Sequence, residues 1–444
     1  MGESASDRKL QDDQEANAFK IKNEHRGTKL ANEIKTRLES LEPLPESPGC
    51  CIYKVPDPLR KSNKEAYTPQ VISIGPFHHG NKKLRAMERY KLGHLKALRE
   101  RENINLKDLV STIKAAEESV RECYSETIQL GSDDFVKMIL IDASFIVEFF
   151  RRNWSEDWSD YDRELIRPWM SNRMQLDLML LENQLPFFII EKIYDIAMPS
   201  LSMDHPFIEL CFEQFDYHNV QKKSHLDLEW KIMHFVDLLR FFCLPPRERR
   251  PERRAKVVKK MHSASQLKEV GLKFKLIDSS SSCTQLELKY ADHGGELEIP
   301  KFKLDDTMEI YAGNLIALEE CHYPHEAYIT DYYILLRFLI RTKKDMDLLV
   351  HDEIIANWLD DINQTFINKL CINIVHSGMN NDYHSICEGL NKFHQERVTY
   401  VQKLKAALVR DYFCTPWMGA STIAAIILLV LTIIQTVCSL IPLL

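Results

Sequence analysis

The sequence predicts a mainly α fold (α+β): a large helical globular domain with a small antiparallel β insert, plus one C-terminal transmembrane helix. Three observations carry that prediction. Apolar residues recur at helical spacing through most of the chain, and glycine is scarce, 14 in 444 residues. Residues 271–304 instead alternate polar and apolar with period two. From Tyr412 to Leu444 no residue is charged.

Length and composition set the outer bounds. A chain of 444 residues holds one large domain or two ordinary ones. The net charge of −7 gives no bulk attraction to nucleic acid, so no nucleic-acid partner is expected. The 11 cysteines are odd in number and scattered, without CxxC or zinc-site spacing. Adjacent Cys50 and Cys51 would bridge to each other only with strain. Reduced thiols in a cytosolic domain are the expectation.

In chain order, residues 1–47 read as a variable tail, disordered or loosely helical. The tail lacks the apolar core of a signal peptide. Met1-Gly2 with Ser6 formally matches a myristoylation signal, though a polar tail is the simpler reading. The globular domain is expected over 48–413. Pro48 to Pro56 and Gln70–Ile74 read as extended, and Gly75-Pro76 ends the second piece. Leu84, Met87, Tyr90, Leu95 and Leu98 predict a helix from Lys82. Phe135–Phe150 is apolar nearly all round, the mark of a central core helix. Met174–Tyr194 is a second buried helical stretch, kinked or split at Pro186, and Leu226–Leu244 a third. A basic segment, 245–260, reads as an exposed loop because Pro245, Pro246 and Pro251 discourage helix. A short helix over Ser263–Val270 precedes the β insert. From Thr307 to Phe413 the helical pattern runs without β signals.

The transmembrane helix is expected over 417–441. Met418 to Leu440 is 23 residues long, with Gln435 its one strongly polar member. At about 1.5 Å per residue it spans about 34 Å, enough for a hydrocarbon core of about 30 Å. Pro416 suits a first helical turn, and Tyr412 and Trp417 suit the interfacial belt. Lys392, Arg397, Lys403, Lys405 and Arg410 precede the span and nothing basic follows it, which predicts a cytosolic domain in a tail-anchored layout. Two sequons, at Asn153 and Asn363, would contradict that side if glycosylated. The pairs Ala420/Ala424 and Ser421/Ala425 hint at homo-oligomers through the anchor.

No intact catalytic, cofactor or metal motif is present, so no enzyme activity and no cofactor are expected. Gly75 to Lys82 has Asn81-Lys82 where a phosphate loop needs Lys-Ser/Thr, and Pro76 removes an N–H. Neighbouring His78 and His79 diverge, and His325-Glu326 lacks the second histidine of a zinc-protease helix. Asp142, Asp177 and Glu182 lie in apolar stretches. Either they do acid–base work, or they cap helices and pair with Arg173, Arg240 or Arg337. The basic segment offers Arg247, Arg249, Arg250, Arg253, Arg254, Lys256, Lys259 and Lys260 to an acidic lipid surface or a protein partner. A solvated charged loop is the plainer alternative.

Several longer stretches resemble a known family. They are CCIYKVPDPLRKSNKEAYTPQVISIGPFHHG, MILIDASFIVEFF, LDLMLLENQLPFFII, LKEVGLKFK, LEIPKFKLDD with YAGNLIALEE, and YFCTPWMGASTIAAIILLVLTIIQT. Together, from Pro48 to Leu440 and in order, they resemble the plant family catalogued as a domain of unknown function, number 247. The chain departs from the family pattern at Ala143-Ser144, where a glycine and a small residue are usual, and at Gly313-Asn314, where Arg-Asn is common. The resemblance implies a plant origin, a C-terminal membrane anchor and no established catalytic residues. Grass members associated with pollen–pistil self-incompatibility imply recognition of an unknown protein partner.

Overall fold

The computed structural model describes residues 25–39, 49–102, 104–158, 168–277, 286–291, 294–305, 307–357, 374, 378–412 and 416–440. The chain divides into two units, Met1–Cys50 and Cys51–Leu444. The described residues of the first are one α-helix over 25–39, α1, exposed along its whole length, with Gly49 exposed and Cys50 half-buried.

The second unit is helix-rich. It opens with α2 (Asp57–Ser62), α3 (Arg85–Glu102), α4 (Leu106–Glu122) and α5 (Ser132–Ser155). Helix α5 is the expected core helix, extended beyond the 135–150 apolar run at both ends. Asp133 and Asp134 favour its N-terminal turn, and Glu156 ends it in the left-handed region, φ 52°. Phe135, Ile139, Phe145, Ile146, Phe149 and Phe150 are wholly buried. Each such side chain contributes about 1.5–3 kcal/mol of transfer free energy. The helix packs on α3 and α4, and on α7 (Phe187–Ala197) and α9 (Phe207–Gln214), which follow α6 (Pro168–Asp177) and α8 (Pro199–Asp204). Phe150 stacks on Phe207 at 5.8 Å and meets Phe235 at 5.3 Å.

The stretch Met174–Tyr194 is split rather than kinked. Helix α6 ends at Asp177, residues 178–186 turn, and Pro186 caps α7 at φ −58°. This turn serves the neighbouring segment Gln70–Gly75, which is neither helix nor strand and whose Val71–Gly75 are buried; among the described residues no strand pairs with it. Side chains satisfy its backbone instead. The Asp177 carboxylate accepts the N–H groups of Gln70, Val71 and Ile72 at 2.6–3.1 Å. Asn183 accepts from Ile74 at 2.8 Å and donates to the Ile72 carbonyl at 3.0 Å. Asp142 accepts from Gly75 at 2.8 Å, and the Lys91 ammonium donates to the Ser73 carbonyl at 2.8 Å. Gly75 sits at φ +72°, and a Cβ there would lie 2.4 Å from the Gln184 carbonyl oxygen. Only glycine lets the chain turn this close to that backbone.

The stretch Leu226–Leu244 holds a shorter helix than expected. A 3-10 turn at His225–Asp227 comes first, and α10 spans only Phe235–Cys243. Asp237 accepts from Met233 N and Trp230 Nε1 at 3.1 and 3.2 Å, which holds the intervening chain outside the helix.

The β structure departs from expectation twice. Strands β2 (Lys273–Leu276), β3 (Lys289–Ala291) and β4 (Glu296–Ile299) form a sheet of order β2-β4-β3, in which β2 runs parallel to β4. The insert is therefore mixed, not antiparallel: β3 takes one edge of β4 and leaves β2 the other. The region after Thr307 also contains strands. β6 (Ile355–Asn357) pairs with β5 (Phe302–Leu304), and β7 (Met379–Asn380) with β1 (Arg253–Lys256). At two or three residues these strands are too short to carry a period-two signature. The remaining helices are α11 (Ala264–Glu269), α12 (Met308–His322), α13 (Tyr328–Leu339), α14 (Lys343–His351), α15 (Asn381–Tyr412) and α16 (Pro416–Leu440).

Asp177→Ala leaves three backbone donors without their acceptor. It is expected to cost about 3–5 kcal/mol, at 1–3 kcal/mol per buried unpaired group with partial relaxation. Denaturant unfolding of the detergent-solubilised chain measures it, and Asp177→Asn, which keeps an acceptor oxygen, should lose clearly less.

Candidate functional site

The three acids singled out in the sequence do come near one element, but as structural fasteners. Burial raises the pKa of Asp142 against the pull of Lys91, whose ammonium lies 2.5 Å from Oδ1, and of the Gly75 N–H. Burial likewise raises Asp177 against the N–H groups of Gln70, Ile72 and Val71; Arg173 is 3.8 Å away. Glu182 is pushed up by burial, yet His78, Arg60 and the Val55 N–H outweigh that and hold it low. Its Oε2 lies 3.2 Å from His78 Nε2, and its Oε1 accepts from Val55 N at 2.7 Å and from Arg60. Each acid thus fastens the stretch between Val55 and His78. Of the expected arginine partners, Arg173 meets Asp177, whereas Arg240 pairs with Glu319 at 3.3 Å.

Sequence reasoning missed the amides that complete this lattice. Asn183, Gln184 and Asn314 are buried, and Asn314 accepts from Leu181 N while donating to the carbonyls of Ala66 and Ile310. The available signal was an amide pair beside Glu182 in the otherwise apolar run LMLLENQLPFF, where an unpaired amide would be costly.

The basic segment is not a free loop. Arg247–Arg249 form a 3-10 turn, and Arg253–Lys256 are strand β1, paired antiparallel with β7. Arg250 meets Glu229 at 2.9 Å and lies 5.3 Å from the Trp230 ring centre. Arg253 reaches the buried Asp331 at 3.3 Å and the Gly378 carbonyl at 2.9 Å. Arg249 meets Glu287 at 3.2 Å. These arginines tie the segment down because an extended edge strand must pair its charges and its backbone somewhere. Arg247, Lys256, Lys259 and Lys260 are exposed; the side chain of Arg254 lies outside the described residues. Asn391 of α15 donates to the Lys260 carbonyl at 2.9 Å, which seats the end of the segment against that helix.

Among the described residues no group of three or more His, Cys, Asp or Glu side chains is placed to hold a metal ion. A cavity of about 50 Å³ is lined by Tyr217, His218, Lys303, Asp305, Met308 and Tyr311. Burial pushes His218 down to about 4, so it is neutral at physiological pH. Asp305 accepts from Tyr217 Oη at 3.1 Å and from Thr307 at 2.7 Å, and none of the three acids above lines this space.

Two helices close the described chain. Tyr383, Ile386, Cys387, Leu390 and Phe393 bury one side of the first half of α15, while Tyr400, Gln402 and Lys403 of its second half are exposed. Helix α16, with the expected ends near Trp417, Met418 and Leu440, is long and apolar enough to cross a membrane, and its stretch Ala420–Val437 has no residue buried inside the protein. Ile426, Leu429 and Ile433 are each more than half exposed. Of the two sequons, Asn153 lies in α5 with its amide donating to Gln214 Oε1 at 2.7 Å, and Asn363 falls outside the described residues.

Two outcomes follow from the basic segment. Arg253→Ala, which strips a buried carboxylate of its cation, should cost about 3–5 kcal/mol, whereas Lys256→Ala should change stability by less than about 0.5 kcal/mol; denaturant unfolding compares them. Burial, offset in part by Arg253 and Asn380, pushes Asp331 up to about 7. The folded chain then holds a proton that the unfolded chain has released between about pH 4 and pH 7, so this group's contribution to stability falls as pH rises through that window. The difference in melting temperature between pH 5.5 and pH 8 should shrink in Asp331→Asn.

A family model described as a plant protein of unknown function, domain of unknown function 247, matches residues 52–431. The UPF0481 protein At3g47200 of Arabidopsis thaliana is 26% identical over 417 residues, covering 87% of this chain and 86% of that protein. The putative UPF0481 protein At3g02645 of the same plant is 32% identical over 151 residues, 34% of this chain and 28% of that protein. No solved structure matches. The match takes in the fastened segment after Ile52, the buried amides and most of α16, and by it the chain belongs to this family of plant proteins of unknown function.

Proposed function

We propose that this is a single-span membrane protein whose helical body faces the cytosol and works by recognising another protein, not by catalysis. The observation that carries the reading is α16: a 25-residue helix, charge-free, with its apolar side chains in the open. Left in water, those side chains would forfeit a large burial free energy, and a bilayer core supplies it. Lys392, Arg397, Lys403, Lys405 and Arg410 in α15 favour the cytosolic side for the body. Asn153 supports the same side, because a glycan there would break its bond to Gln214 and displace helix α5.

Recognition is favoured over catalysis by how the acids are used. Asp142, Asp177 and Glu182 spend their oxygens on backbone N–H groups, Lys91, Arg60 and His78. The association of grass relatives with self-incompatibility points the same way. A lipid-sensing role for Lys256, Lys259 and Lys260 is disfavoured by distance. From Asn391, which touches Lys260, to the end of α15 at Tyr412 is 21 residues. With α15 upright on the membrane that is about 32 Å of helix, against a screening length of about 8 Å.

The span and its orientation are tested together on sealed vesicles. Protease added outside should remove the body from vesicles with cytosolic face outward, and alkaline carbonate should leave α16 in the pellet. A protected body would reverse the orientation. Leu429→Arg with Ile433→Arg, at about 2.5–3.5 kcal/mol each for a charge near the bilayer centre, should move the chain to the supernatant. Recognition is tested by crosslinking in intact membranes: a specific partner should attach to the full chain and not to α16 alone, and no such partner would count against it.

A further inference from the structure

Seven described cysteines stand outside any disulfide. Two of them are set opposite each other by the backbone. Ile52 and Tyr124 are partners in a parallel bridge. Cys51 and Cys123 stand one step back on each side; Cys123 closes α4 in the right-handed helical region, φ −71° and ψ −16°, so its carbonyl, not a strand ladder, joins it to Cys51. The Cys123 carbonyl accepts from Cys51 N at 3.0 Å and Ile52 N at 2.8 Å, and Ser125 N donates to the Ile52 carbonyl at 2.9 Å. A carbonyl oxygen 3.0 Å from the Cys51 nitrogen keeps the two Cα atoms within about 7 Å of each other. A disulfide needs about 4.4–6.8 Å, so the backbone has little distance to travel. Both residues are nearly buried, 4% and 7% exposed. The Cys51 thiol lies against the Cys123 thiol and holds it below its usual range, against the opposing effect of burial.

We propose that Cys51 and Cys123 are a reversible redox pair that closes to an intramolecular disulfide. The oxidant is a small peroxide, which can enter where a bulky disulfide reagent cannot. The Cys123 thiolate attacks one peroxide oxygen, the O–O bond breaks, and hydroxide leaves behind a sulfenic acid. The Cys51 sulfur attacks that sulfenic sulfur, the S–O bond breaks and water departs. In balance, two thiols and one hydrogen peroxide give one disulfide and two waters. A cellular dithiol or two glutathione thiols reverse it by exchange. The closed form ties the first residue of the second unit to the end of α4. It encloses within one covalent loop α2, α3 and the buried strip Gln70–Gly75.

The full-length chain in detergent micelles is treated with hydrogen peroxide, alkylated and mapped as unreduced peptides. The expected result is a roughly tenfold loss of alkylation at Cys51 and Cys123, as a low-pKa, paired thiol should give relative to inert buried ones. A crosslinked peptide lighter by two hydrogens should appear and vanish on dithiothreitol treatment. Cys211, Cys243 and Cys387, whose thiols burial pushes up, are the internal controls and should be unchanged. Cys50→Ser should leave the crosslink intact, and Cys51→Ala should abolish it. The proposal is overturned if peroxide leaves both thiols as alkylatable as before, or if Cys50→Ser removes the crosslink. Should Cys51→Ala fail to fold, the map of Cys50→Ser decides alone.

Discussion

The second unit depends on how one strip of backbone, Gln70–Gly75, buried from Val71 onward, is satisfied. A chain inside a protein must pair its N–H and C=O groups, and among the described residues no strand pairs with this one. Asp177 and Asn183 stand in for a neighbouring strand, Asp142 and Lys91 finish the row, and Gly75 lets it end against the Gln184 carbonyl. Helices α3, α5 and α6 and the turn before α7 are thereby held in fixed positions about the strip. The same demand accounts for the break in the apolar run before Pro186. A continuous helix there could not aim both Asp177 and Asn183 at one segment six residues long.

The charges follow the same economy. Glu148 lies buried between Arg101, Arg151 and Arg152, with Arg101 bidentate at 2.7 and 2.8 Å. Glu319 is held by Arg240 and by the N–H groups of Ile329 and Thr330, and Arg240 lies flat over Tyr323, 3.8 Å from the ring centre. Asp331 joins Arg253 to Asn380, which binds strand β1 to the start of α15. A basic segment that would be a loose tether if it were solvated is instead part of the body.

Much of this was legible in the residues. The all-round apolarity of Phe135–Phe150 marks a helix enclosed on every side, and the charge-free stretch after Tyr412 marks a helix with no protein around it. What could not be read was partnership at a distance. Nothing in the spacing of Asp177 announces that one of the N–H groups it accepts from, that of Val71, lies 106 residues upstream. The 2- and 3-residue strands β6 and β7 have no pattern of their own, and exist because β5 and β1 offer them an edge. Proline and arginine density in 245–260 reads as solvent exposure until Glu229, Glu287 and Asp331 are brought alongside. The buried amides escaped for the same reason: polar side chains in apolar runs reveal that partners exist, not who they are.

Helix α15 has a mechanical consequence. It is one uninterrupted helix of 32 residues, about 48 Å long, embedded in the body along its first half and exposed at Tyr400, Gln402 and Lys403 beyond it. A rod of that kind transmits torque and tension without storing them in a hinge. A pull applied at Tyr412 arrives at Asn380, whose N–H and side chain hold Asp331, and at Asn391, which holds the Lys260 carbonyl. Such a load meets the Asn391 contact and the buried face of the first half before it reaches the short β1–β7 pair at the far end of the helix.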